Sequence, residues 1–272
     1  MKVLSCRGHQ LPIGDRTIIM GILNVTPDSF SDGGSYVSID TAVQRARQMV
    51  AEGADIIDIG GESTRPGFAR VPEEEELRRV IPVIEALRSA VNVPISIDTY
   101  KAGVAKRALE AGAHIINDVW GGKADTRMAE VASQYDCPFI ITHNRTDTNY
   151  TDFLSDVLAD LQESVHQARR AGVRIENIIL DPGIGFAKSH EQNLFLMNRL
   201  RTLADIGLPV LLGTSRKSMI GTALGGLSSD ERLEGTAATV ALGIAQGCSI
   251  VRVHDIQAMK RVAVMTDAII RT

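Results

Sequence analysis

Arg252 and His254 stand on alternate residues at the end of one apolar run, so a period of two sends both to the same face of a strand. Two cationic or potentially cationic groups placed that way form a clamp for a diphosphate; the alternative for His254 is a capped or core histidine. Asp181 opens the turn DPGIGF, which fixes a carboxylate at a rim. A carboxylate there accepts two parallel N–H donors, as an amino-pyrimidinone edge presents them. The segment GTSRKS at 213–218 puts Arg216 and Lys217 in the positive first turn of a helix, which is unfavourable for the helix itself. They are either exposed basic residues tolerated by solvent or groups facing a polar or anionic ligand that also uses the helix N-terminus. The GxxxxGK spacing of a Walker loop is absent.

Other apolar runs end the same way: at Asn24, at Asp58 followed by Glu62, at Asp98, at Asn117 with Asp118, at His143 with Asn144, and near Ser215. One Asp at a strand end is as often a cap or turn former as a ligand. Asp58 reads as structural, because Glu62 and Arg65 reach further out, and Asp118 reads as a residue that orients its neighbours. Together these groups describe a pocket with carboxylates and amides on one side and Arg, Lys and His on the other. Such a pocket suits a ligand with a flat, N–H-rich end and an anionic end. The sequence has no Ser-His-Asp arrangement, no His-rich metal spacing and no dinucleotide fingerprint.

Positioning these groups takes a repeated unit of apolar strand, polar end, loop and helix. Strands are expected over 18–24, 55–60, 94–98, 114–118, 139–143, 178–181, 209–213 and 249–253. Amphipathic helices are expected over 39–52, 73–90, 103–111, 127–135, 153–171, 191–203, 216–246 and 256–270. Pro82 should kink its helix or mark a second start. Residues 1–16, with Gly8 and Gly14 as turn residues, read as a hairpin closing one end. Eight βα units with no linker predict an α/β fold: a single-domain (β/α)8 TIM barrel over 1–272, whose active site lies at the carboxyl ends of the strands. An open doubly wound sheet would more usually have fewer strands. The loops 25–34 and 62–70 are long for βα connections and have the character of lids. Small residues in 236–246, such as Ala237, Ala241 and Gly243, suit either a dimer face or intrachain packing.

The composition is that of a soluble globular chain: 272 residues, 44% hydrophobic and 23% charged. A net charge of −4 argues against nucleic acid and anionic membranes as partners. Cys6, Cys137 and Cys248 match no zinc or redox spacing and read as buried hydrophobes in a reducing compartment. The first residues lack an apolar core, and the stretch 236–251 is too short and interrupted to span a bilayer. A cytoplasmic location follows as the expectation.

The stretches MGILNVTPDSFSDGG, DIIDIGGESTRPG, PISIDTYKAGVA, AGAHIINDVWG, LDPGIGFAKSHEQN, LLGTSRKSMIG and VRVHD occur in this order. In them the chain resembles the bacterial dihydropteroate synthase family from Ile18 to the end. The resemblance implies a homodimeric barrel enzyme (EC 2.5.1.15) of folate biosynthesis. It would join 6-hydroxymethyl-7,8-dihydropterin diphosphate to 4-aminobenzoate by an SN1-like substitution, releasing diphosphate. By matched position, Asp98, Asn117, Asp181 and Lys217 would hold the pterin, and Asn24, Arg252 and His254 the diphosphate. Mg2+ would bridge the diphosphate and Asn24. Phe30, Ser31, Asp32, Thr64, Arg65, Pro66, Phe186, Lys217 and Ser218 would form the lid and the aminobenzoate pocket. Asp98, Lys217, Arg252 and His254 would carry the catalysis, and sulfonamides should compete with aminobenzoate. Thr142 stands where many relatives have Met, which puts one apolar pterin contact in doubt. The rival readings are a methyltetrahydrofolate-dependent methyltransferase and a non-catalytic pterin-binding barrel; the STRPG and SRKS stretches argue against the first, and the intact clamp against the second.

Overall fold

The computed structural model describes residues 2–25, 35–62 and 70–271. A hairpin of β1 (Lys2–Cys6) and β2 (His9–Ile13) comes first. Its turn uses Arg7 and Gly8, both at positive φ (47° and 106°), a conformation glycine adopts without strain. The barrel strands follow: β3 (Ile18–Asn24), β4 (Ile56–Gly60), β5 (Ile95–Asp98), β6 (Ile115–Asp118), β7 (Phe139–Thr142), β8 (Ile178–Asp181), β9 (Leu211–Leu212) and β10 (Ile250–Val253). All pair parallel in the order β8-β7-β6-β5-β4-β3-β10-β9. A bridge between Leu180 and Val210 joins the two outer strands, and the Leu180 N–H donates to the Pro209 carbonyl (2.9 Å). The eight-stranded sheet closes into a (β/α)8 barrel with the hairpin at its foot.

The helices are α1 (Ser35–Ala51), α2 (Glu73–Ala90), α3 (Ala102–Ala111), α4 (Met128–Gln134), α5 (Phe153–Arg170), α6 (His190–Met197), α7 (Leu200–Ala204), α8 (Ser218–Ala223), α9 (Leu233–Ala245) and α10 (Ile256–Ile270). Two expectations need correction. The helix expected over 191–203 is two, α6 ending in a turn at Asn198 and Arg199. The one expected over 216–246 is α8, a 3-10 turn at Ser229–Glu231 and α9. Gly225 and Gly226 (φ 82° and 97°) stop α8, and a Ser228–Glu231 capping box starts the next turn. At Pro82 there is no second start, because α2 runs through it as one helix.

Alternation along the strands sorts the core into two parts. Ile19, Ile57, Ile97, Ile116, Ile141, Leu180, Leu212 and Val251 pack outward against the helices. Ile18, Met20, Ile56, Ile115, Ile140, Ile179, Leu211 and Ile250 form an inner layer, and Leu4, Cys6, Leu11 and Ile13 of the hairpin pack onto it. The hairpin is thus the floor of the barrel. Each fully buried aliphatic side chain of that layer contributes about 1.5–3 kcal/mol. Arg7 anchors the floor by donating to the carbonyls of Leu109 and Ala113. Asp267 of α10 accepts from the Thr17 N–H (2.7 Å) and hydroxyl (2.9 Å), stapling the last helix to the start of β3.

The small residues of α9 serve intrachain packing: a Cβ on Gly235 would meet Ile220, and one on Gly243 would meet Leu212. Cys6, Cys137 and Cys248 are buried free thiols, and burial pushes each up to about 12. Among the described residues no helix is long and apolar enough to cross a membrane.

Candidate active site

Two residues beyond the inner apolar layer, the same strands turn polar. Ile56 is followed by Asp58, Ile115 by Asn117, Ile140 by Thr142, Ile179 by Asp181 and Ile250 by Arg252. Period-two geometry carries each of these inward, to the carboxyl-terminal mouth. Asp58, Asp98, Asn117 and Asp181 are all buried there.

Arg252 is the hub. Its Nε donates to Asp58 Oδ2 (2.6 Å) and its Nη2 to Asp98 Oδ2 (2.5 Å). Asn117 Nδ2 donates to the same Asp58 oxygen (3.1 Å). Asp58 is therefore a supporting residue, as read from sequence, but what it supports is the site itself. Burial works against the Arg252 charge, yet Asp58 and Asp98 outweigh it and hold the guanidinium protonated. Burial pushes the Asp98 carboxyl up to about 7, with Arg252 opposing. Asp58 Oδ1, Ser96 Oγ and Asp98 Oδ1 are buried without a hydrogen-bond partner. Such atoms cost about 1–3 kcal/mol each unless a ligand or water satisfies them.

Across the mouth, Asp181 accepts from the Gly183 N–H (2.7 Å), and burial raises its carboxyl while Lys217 opposes the rise. Lys217 bonds the Ile184 carbonyl and lies 4.2 Å over the Phe186 ring. Burial depresses its ammonium to about 8 against the pull of Asp181. Ser218 follows at the start of α8. Asn24 and Asp98 flank Gly60, each with an oxygen within 4 Å of where its Cβ would stand. His254 Nδ1 lies 3.0 Å from Ser215 Oγ. Asp118 accepts from the Trp120 and Gly122 N–H groups (both 2.8 Å), and so orients the turn after β6 as expected.

The structure thus brings together Asn24, Asp98, Asn117, Asp181, Phe186, Lys217, Ser218, Arg252 and His254 at one mouth. Phe30, Ser31, Asp32, Thr64, Arg65 and Pro66 lie outside the described residues. One placement is corrected. Arg216 is not in a helical first turn facing a ligand: it sits at φ 60° before α8, and its guanidinium pairs with Asp255 (2.6 and 3.0 Å). Lys217 holds the cap position of that helix. Sequence reasoning also missed two clusters. Lys101 joins Glu62 and Glu76 just past the carboxyl ends of β4 and β5, and Lys188 reaches His143, which in turn meets Asp160. Neither is spaced as a recognisable motif.

A closed parallel barrel with a polar mouth of this kind is an enzyme barrel, and the profile described as pterin binding enzyme matches residues 20–254. The chain is 56% identical to the dihydropteroate synthase of Clostridium beijerinckii over 100% of both chains. To that of Bacillus subtilis it is 55% identical, over 99% of this chain and 94% of the other. A dihydropteroate synthase from Clostridium difficile, crystallised in the presence of pteroic acid, superposes with a TM-score of 0.94 at 53% identity, covering 96% and 100% of the two chains. The Xanthomonas albilineans enzyme with 4-aminobenzoic acid gives a TM-score of 0.94 at 40% identity, covering 98% of each. The chain belongs to the dihydropteroate synthase family.

Proposed function

We infer that the chain condenses 6-hydroxymethyl-7,8-dihydropterin diphosphate with 4-aminobenzoate to give 7,8-dihydropteroate and diphosphate, a step of folate biosynthesis. The observation that carries the reading at the site is the pair of buried carboxylates, Asp98 and Asp181, on either side of Arg252 and Lys217.

Asp98, Asp181 and Asn117 are assigned to the polar edge of the pterin, whose N–H groups would satisfy the unpartnered Asp98 Oδ1. Lys217 faces the ring from the opposite wall. Arg252, His254 and Asn24 are assigned to the diphosphate. Breaking the methylene C–O bond sends its electron pair to the departing diphosphate, and Arg252 and His254 stabilise that charge. The methylene cation is delocalised into the pterin, where the Asp98 carboxylate favours it. The aminobenzoate nitrogen then forms the C–N bond and loses its proton to solvent, so no strong base is needed. Phe186, Lys217 and Ser218 form the described wall of the aminobenzoate pocket, with Phe30, Ser31, Asp32, Thr64, Arg65 and Pro66 as the lid.

Among the described residues no group of three or more His, Cys, Asp or Glu side chains could hold a metal. One amide oxygen, that of Asn24, suits a hard cation that takes its other ligands from phosphate and water. Mg2+ held by Asn24 and the diphosphate would neutralise the leaving group. A homodimer is proposed for the apolar face of α9 and α10, where Leu242, Val264, Met265 and Ile269 are exposed. The location proposed is cytoplasmic, and sulfonamides, as aminobenzoate mimics, are proposed as competitors.

The test is a product assay with the purified protein, Mg2+, the pterin diphosphate and labelled 4-aminobenzoate. Labelled dihydropteroate with matching diphosphate release, lost on Lys217→Ala, is the expected outcome. Tight pterin diphosphate binding without product would overturn the reaction.

A further inference from the structure

Lys188 lies outside the residues assigned above, yet its ammonium is fully engaged. Nζ stands 2.8 Å from His143 Nδ1, 2.9 Å from the Gly183 carbonyl and 3.0 Å from the Phe186 carbonyl. An ammonium has three protons and no lone pair, so three acceptors fill it. The Asp160 carboxylate can only accept, so His143 carries its proton on Nε2, 3.1 Å from Oδ2, and presents its Nδ1 lone pair to Lys188, whose ammonium burial lowers to about 7. Burial keeps that imidazole neutral, its pKa down at about 3, and Lys188 pushes the same way. One directed chain therefore runs from Asp160 on α5, through the end of β7, to the loop between β8 and α6.

That loop carries Phe186 and bonds Lys217 through the Ile184 carbonyl. Gly183 (φ 66°) presses it against β7 so closely that a side chain there would run into the His143 carbonyl oxygen. Lys217 holds the loop from one side, and Lys188 holds it from the other. Its three nearest acceptors are neutral, so Lys188 gains no directly bonded carboxylate to offset leaving water. An apolar side chain would fill the same space at less desolvation cost. What the ammonium supplies is direction: it fixes two carbonyls of the loop between β8 and α6 against a neighbouring strand.

We propose that Lys188 is a positioning residue for the aminobenzoate wall, setting where Phe186 and Lys217 stand. The proposal rests on the reading of Phe186 as part of that wall, so the experiment tests the two separately. Steady-state kinetics are measured on Lys188→Met, Lys188→Ala and Phe186→Ala. Lys188→Met should raise the KM for 4-aminobenzoate by about tenfold or more with kcat within about threefold. Added n-propylamine should partly restore the KM of Lys188→Ala and n-propanol, of the same size, should not; equal rescue by both would mean that only bulk was lost and would overturn the role of the ammonium. An unchanged KM in folded Lys188→Met, with a raised KM in Phe186→Ala, overturns the positioning role and leaves the wall standing. An unchanged KM in both overturns the wall and the role together. Should the Lys188 variants fail to fold, Asp160→Ala, at a partly exposed position, removes the acceptor of the His143 Nε2–H, so that nothing holds the tautomer that offers Nδ1 to Lys188. It should raise the same KM by about threefold, and an unchanged KM in it overturns the proposal.

Discussion

The floor and the mouth of the barrel are built from the same strands, two residues apart, and they differ in almost every physical respect. At the floor, Ile18, Ile56, Ile115, Ile140, Ile179 and Ile250 belong to one buried apolar cluster with Leu4, Cys6, Leu11 and Ile13 of the hairpin. At the mouth, Asp58, Asp98, Asn117 and Asp181 are buried and Arg252 is partly so, but Asp58 Oδ1 and Asp98 Oδ1 have no partner. One pleat of strand separates a layer that stabilises the fold from a layer that stores unmet hydrogen-bonding capacity. The division lets the site keep unpartnered polar atoms without loosening the barrel.

Substitutions at the two layers should therefore fail in different ways. The largest effect is expected at the hub. Arg252→Met leaves two buried carboxylates without their cation and should cost about 3–5 kcal/mol of stability in urea unfolding, with turnover lost as well. Ile140→Ala at the floor should cost roughly 2–5 kcal/mol in the same assay, while the folded fraction keeps its kcat/KM. A changed kcat/KM there would mean that the layers are not separate. Asp181→Asn should do the reverse, weakening pterin binding by about 1.5–3 kcal/mol in calorimetry with little change in unfolding. Unaltered pterin affinity would remove Asp181 from the site.

The smallest effect is a titration. The Asp98 carboxyl is raised to about 7, so it is ionised above that pH and protonated below it. Pterin N–H groups require the ionised form, so pterin diphosphate affinity should fall roughly tenfold between pH 8 and pH 6. The sign for folding is the opposite: a carboxyl whose folded pKa is raised stabilises the fold at low pH, and that contribution is lost as pH rises through about 7. Asp98→Asn should abolish both dependences. Persistence of the binding slope in that variant would assign it to another group.

The strands were legible because each is a short β-branched run that stops at a polar residue; β3 and β8 have the expected bounds. The importance of Asp58 was also within reach. It stands two residues beyond Ile56, as Asn117 does beyond Ile115, and strand parity alone groups it with the mouth. The long helix expected over 216–246 failed because helical periodicity continues across Gly225 and Gly226, although the glycine pair and the SSDE capping pattern mark the break. Arg216 was not legible. Its partner Asp255 is 39 residues away, and the pairing of β9 with β10 brings them together. Lys188 was hidden for the same reason: the acceptors that define it come from β7 and from the carbonyls of its own turn.

The staple between Thr17 and Asp267 has a consequence for the order in which the molecule is completed. One edge of β3 pairs with β4, which follows it closely, but the other pairs with β10, which comes only after the six other barrel strands. A nascent chain therefore carries an unpaired strand edge until β10 has been made. Only when residues 250–267 have left the ribosome do the ring and its fastening form together, as a belt closes at the buckle.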